Sequence, residues 1–199
     1  MKTSRSPRTL GMLALMWVLL ALAAAAQEAV WKSTHSKLIS TDGYSVKCDY
    51  AGPEGKYQFY YDVEGNGSKI LTEVLAGSSR GGGAKILYDP ATDKENVKLK
   101  TDMFSVRRSL EARDIKGSML YLPLFKQLVE ELVEPQPREI VRVGDHTLLM
   151  FGDKAKTQDI LEVNASGDPV NVRRLEKGKE VKRMTFTELV WGPTAINWP

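Results

Sequence analysis

Only one of the 199 residues is a cysteine, Cys48, so no intramolecular disulfide supports the fold. Histidine is nearly as scarce, with His35 and His146 alone. Neither H-E-x-x-H nor C-x-x-C occurs, so the chain lacks the ligand clustering that a zinc site needs, and no cofactor is expected. There is no G-x-S-x-G nucleophile elbow. Gly83-Ala84-Lys85-Ile86 stands where a phosphate loop would end in Gly-Lys-Ser/Thr, which leaves a surface hairpin connection as the reading. Charge of one sign is missing as well. The 28 basic residues face 25 acidic ones. Lys2, Arg5 and Arg8 precede the first acid, and without them the balance is zero. That gives no support for binding nucleic acid.

No apolar run reaches the roughly 20 residues of a spanning helix. The stretch from Leu10 to Leu22 is shorter, follows a basic start, and runs into Ala23 to Ala26. This is the three-part layout of a cleavable signal peptide over residues 1–26, with Ala24 and Ala26 suited to the peptidase. Residues 27–199 are then expected to form a single exported domain, with the periplasm as its location. Cys48 falls within an alternating strand pattern and reads as a small buried hydrophobe.

Two periodicities organise that domain. Residues 27–39 carry Ala29, Val30, Trp31, Leu38 and Ile39 at helical spacing, and Thr41-Asp42-Gly43 ends the run. The period then drops to two. Tyr44, Val46, Cys48 and Tyr50 alternate with polar residues, as do Tyr57, Phe59, Tyr61 and Val63 after a Gly-Pro-Glu-Gly turn. Further strands are predicted at 69–75, 86–88, 97–99, 103–108, 139–143, 147–151, 159–163, 170–175 and 181–190. A second helix is predicted over 118–133, starting near Leu122 because Pro123 fits only a first turn. It places Leu120, Leu124, Leu128 and Leu132 on one stripe. About ten strands and two helices in so short a chain mean an antiparallel α+β fold. The expected architecture is a curved sheet or incomplete β-barrel covered by helices.

Little in this pattern points to catalysis. Asp145-His146 is the one seed of a triad, and a turn histidine is ordinarily solvated. Asn164-Ala165-Ser166 matches the short glycosylation sequon. The feature that stands out is apolar: Tyr44, Val46, Tyr57, Phe59 and Tyr61 on one sheet face, opposite Leu120, Leu124 and Leu128. The residues leave two readings open. One is an ordinary filled core, and the other a cavity for a hydrophobic ligand with tyrosines at its mouth.

Two stretches resemble a known family. Gly83-Ala84-Lys85-Ile86-Leu87-Tyr88-Asp89-Pro90 leading to Val97-Lys98-Leu99 is one, and Gly167-Asp168-Pro169-Val170 through Lys177-Gly178-Lys179-Glu180-Val181 to Phe186-Thr187-Glu188-Leu189 is the other. Together with the element order they are similar to the outer-membrane lipoprotein carrier (LolA/LolB-like) superfamily. The resemblance implies an incomplete barrel lidded by helices, whose apolar cavity receives the acyl chains of lipids or lipoproteins without chemistry. It also implies partner proteins of the cell envelope, and an arginine that holds the lid, which the sequence does not single out. The alternative is an envelope interaction or structural protein with a filled core and no ligand.

Overall fold

The computed structural model describes residues 26, 28–40, 42–65, 69–77, 83–89, 96–100, 108–111 and 124–196, with backbone alone for 96–100 and 108–111. Residues 1–25 of the proposed leader lie outside these, as do Leu120 and Pro90. The strands are β1 (Tyr44–Gly52), β2 (Gly55–Val63), β3 (Ile70–Ala76), β4 (Lys85–Tyr88), β5 (Asn96–Lys100) and β6 (Arg108–Glu111), then β7 (Glu139–Val143), β8 (His146–Gly152), β9 (Thr157–Val163), β10 (Pro169–Glu176) and β11 (Lys179–Trp191). Helix α1 covers residues 28–38 and helix α2 covers Leu124–Glu130.

All eleven strands belong to one antiparallel sheet in the order β6-β5-β4-β3-β2-β1-β11-β10-β9-β8-β7. It consists of two meanders, β1 to β6 and β7 to β11, joined where the first strand pairs with the last. Tight turns make each meander. Lys177 (φ 52°) and Gly178 (φ 79°) both adopt the left-handed conformation that a two-residue type I′ hairpin requires, which joins β10 to β11. A sheet of this width must twist and curl. Here it curves without closing, leaving β6 and β7 as its described edges. The chain leaves β6 at one edge and enters β7 at the other, so the connection bearing α2 has to cross the sheet.

Cross-strand register aligns apolar side chains on one face. Tyr57 faces Tyr50, Tyr50 faces Met184, Met184 faces Val172, Val172 faces Leu161, Leu161 faces Leu149, and Leu149 faces Ile140. This row spans seven strands of the inner face, and both helices pack against that face. From α1 come Trp31, edge-on to Phe151 at 5.1 Å, and buried Leu38. From α2 come Leu124, Phe125 and Leu128. Cys48 lies free in this core, and burial pushes its thiol up to about 12.

Two predicted boundaries move. The strand expected at 103–108 is β6, and its described part is Arg108–Glu111. The second helix ends at Glu130, short of Val133, because its last backbone groups are diverted into tertiary hydrogen bonds.

Candidate functional site

Seven residues are too few to hold a helix in water, so α2 depends on what it rests upon. Phe125 is the pivot. Its ring lies 4.7 Å from Tyr44, 5.3 Å from Phe186 and 5.5 Å from Trp191. The Phe125 N–H, which has no partner within the first turn, donates to the Tyr44 hydroxyl at 3.1 Å. Burial pushes the Tyr44 phenol well above its ordinary value, although backbone hydrogen bonds at Phe125 and Leu124 oppose the shift.

The other end of α2 is held by charge. Asp159 on β9 is buried with its side chain only 3% exposed, and Arg174 on β10 grips it with Nε to Oδ1 at 2.8 Å and Nη2 to Oδ2 at 2.9 Å. The two residues are cross-strand partners. Arg174 Nη2 also donates to the Glu131 carbonyl at 2.6 Å, and the Val133 N–H donates to Asp159 Oδ2 at 2.9 Å. Glu131 Oε2 receives Lys182 Nζ at 3.0 Å. These contacts end the helix. Arg174, which the sequence did not single out, thus ties Asp159 to the segment that follows α2. Its signal was weak, since Arg173-Arg174 looks like ordinary strand polarity until β9 is placed beside it.

Five of the predicted site residues, Tyr44, Val46, Tyr61, Leu124 and Leu128, are buried together in one core cluster. Tyr57 and Phe59 are half-buried and pack against it. Leu120 lies outside the described residues. Beneath α2 remains a cavity of about 30 Å³ lined by Leu124, Leu128, Val172 and Met184 on its apolar side and by Gln127, Asp159, Arg174 and Lys182 on its polar side. That is roughly the volume of one water molecule. Two larger clefts flank α1, of about 540 Å³ and 620 Å³. The second includes Lys37 and Trp191 in its walls. Lys37 Nζ lies 2.5 Å from Asp168 Oδ1, and Trp191 Nε1 donates to the same oxygen at 2.7 Å, which seats α1 on the sheet.

The sequence's other candidates resolve into structure. His146 is not left to solvent at a turn: its Nδ1 lies 2.5 Å from Glu162 Oε1, and Asn171 donates to the other oxygen of Glu162. This tie joins β8, β9 and β10 on the outer face. Asn164 uses its side-chain oxygen to accept from the Ser166 and Asp168 N–H groups, both at 2.9 Å, so the sequon asparagine closes its own turn. Among the described residues no cluster of His, Cys, Asp and Glu could hold a metal ion, and no helix is long and apolar enough to cross a membrane.

An unclosed antiparallel sheet with helices packed inside its curve is a half-barrel of the α+β class. No family model matches the chain, and no curated protein does. Among solved structures it is similar to an uncharacterized conserved protein from Thermus thermophilus, with 12% identity and a TM-score of 0.53 over 86% of this chain and 90% of that one. MucB matches at 15% identity and a TM-score of 0.49, over 86% of this chain and 61% of that one. A putative outer membrane lipoprotein-sorting protein domain from Vibrio parahaemolyticus matches at 9% identity and 0.42, over 84% and 93%. The chain spans less than two thirds of MucB, and at these identities the likeness is one of fold.

Proposed function

We propose that the chain is an exported binding protein of the cell envelope, which takes an acyl chain of a lipid or lipoprotein against the inner face of its half-barrel. The observation that carries this reading is the apolar row from Tyr57 to Ile140 beneath a short, separately latched helix. At about 4.8 Å per strand step the row is roughly 29 Å long. An acyl chain spans about half of a hydrocarbon core some 30 Å thick, so the row is long enough to hold one. With only about 30 Å³ free beneath α2, the ligand takes the place of Leu124, Phe125 and Leu128 as the lid lifts. Burying a chain of about sixteen carbons yields roughly 12 kcal/mol at ~0.8 kcal/mol per methylene, against roughly 5–9 kcal/mol for those three side chains. Exchange is therefore favourable provided the latch opens. The periplasm is the compartment that the basic, apolar and alanine-rich leader suggests, and envelope proteins would deliver and receive the cargo.

The tight seat of Phe125 favours a second reading, an envelope interaction protein with a filled core. Native mass spectrometry of protein purified gently from the export compartment separates the two. A mass excess removed by organic extraction, and lost in Phe59→Asp or Leu124→Asp, is the expected result. A clean protein mass with no uptake of a fluorescent fatty acid would favour the filled core.

A further inference from the structure

The inner face changes character one layer beyond the apolar row. Asp159, Arg174 and Lys182 lie side by side on β9, β10 and β11, each two residues along its strand from Leu161, Val172 and Met184. Alternation therefore directs all six to the same face. The polar trio thus flanks the middle of the apolar row, and all three residues line the small cavity under α2.

The hydrogen-bonded pairs there are complete only while α2 is seated. Arg174 and Lys182 bring two positive charges, and Asp159 brings one negative charge. The second negative charge, the Glu131 carboxylate, comes from the chain just past α2, 51 residues before Lys182. The Glu131 carbonyl adds a further acceptor for Arg174. Lifting α2 leaves Arg174 with Asp159, while Lys182 loses its hydrogen-bonded carboxylate and keeps its position 6.0 Å over the Tyr50 ring and the charge of Glu54 nearby. A half-buried ammonium that loses its hydrogen-bonded partner is costly. The Gln127 side-chain oxygen, already buried without a partner, would leave with the helix.

From this we infer that the ligand is an anionic amphiphile. Its acyl chain lies along the row toward Leu149, and its headgroup replaces Glu131 as the partner of Lys182 and Arg174. The inference rests on the acyl-binding reading and specifies its ligand class. Glu131 acts as an internal stand-in for the headgroup, so anion and lid compete for the same cations. A carboxylate and a phosphate share the required chemistry.

The test compares ligands of equal chain and different head, displacing a fluorescent fatty acid from the mature protein. Oleate and oleoyl lysophosphatidate are expected to bind about tenfold more tightly than neutral oleyl alcohol, the effect of one charge-assisted hydrogen bond. The relative strength of the two anions identifies carboxylate or phosphate as the preferred head. Lys182→Gln should erase the preference by weakening the anions relative to the alcohol. Glu131→Gln should widen it, and as a change at an exposed position it tests the idea even if Lys182→Gln folds poorly. Equal binding of all three ligands would overturn the headgroup assignment and leave the acyl-binding reading intact. Binding of none would overturn both.

Discussion

Asp159 shows how one side chain can organise a region. Its carboxylate is sealed from water, holds both nitrogens of the Arg174 fork, and accepts the Val133 N–H just beyond α2. Removing it would leave Arg174 half-buried with the Glu131 carbonyl as its remaining hydrogen-bond partner there, and free the end of α2. Asp159→Ala is expected to cost about 3 kcal/mol, toward the lower end for breaking a buried pair because Arg174 retains some water. In a chain of this size that lowers Tm by roughly 10 °C. Thermal unfolding followed by circular dichroism measures it. A melting temperature within a degree or two of the parent would mean that the pair holds nothing. Gln127 is the converse case: its amide donates to Glu131 Oε1 at 2.8 Å while its oxygen is buried without a partner, a local cost of seating α2.

At the scale of elements, α1 and α2 are attached by different physics. Helix α2 is wedged by aromatic packing and latched by a buried ion pair. Helix α1 is packed through Trp31 and Leu38, and its C-terminal part is tied through Lys37 to Asp168, between two solvent-filled clefts. Burial raises the Asp168 pKa, but hydrogen bonds from Lys37, Trp191 and Asn164 outweigh it, so the group titrates below the ordinary carboxylate range. A depressed folded pKa contributes stability above the unfolded value of about 3.9 and loses it as pH falls through the folded one. Amide exchange across α1 should therefore accelerate as pH drops below about 4, after correction for the intrinsic pH dependence of exchange. Asp168→Asn should show the faster exchange already at neutral pH, with little further change on acidification. If the parent's corrected protection is the same at pH 3 and pH 7, the Lys37 tie does not seat the helix.

The whole molecule depends on one seam. Among the described strands the two meanders pair where β1 meets β11 along Tyr44 to Ala51, and beyond it the Gly192 N–H donates to the Gly43 carbonyl at 2.8 Å. Yet they share one core: Tyr44 and Cys48 of the first lie against Phe186 and Met184 of the second, and α2 bridges both. A shared core implies one cooperative transition. Urea unfolding watched by tryptophan fluorescence and by far-ultraviolet circular dichroism should give coincident curves. Two separated transitions would show the meanders to be independent units.

How much of this was legible depends on the range of the interaction. Alternation along Tyr44 to Tyr50, and along Tyr57 to Val63, marked which face is buried, because burial on one side of a pleated strand is written at every second residue. The short turns implied antiparallel neighbours, and the Leu-rich stripe marked a helix that needs an apolar partner. Leu124 and Leu128 therefore joined Tyr44, Val46 and Tyr61 in one cluster, as their pattern required. No local pattern could say that β11 would return to β1, or that Arg174 would find Asp159 and the two together would capture Glu131 and Val133, shortening α2. The contacts of Asp159 and Arg174 join residues 15 to 43 positions apart. Charged residues in a strand read alike whether they face water or a buried partner. Periodicity settled the faces and elements, because it follows from backbone geometry alone. The latch, and the volume left beneath the lid, were decided only when distant strands came into register.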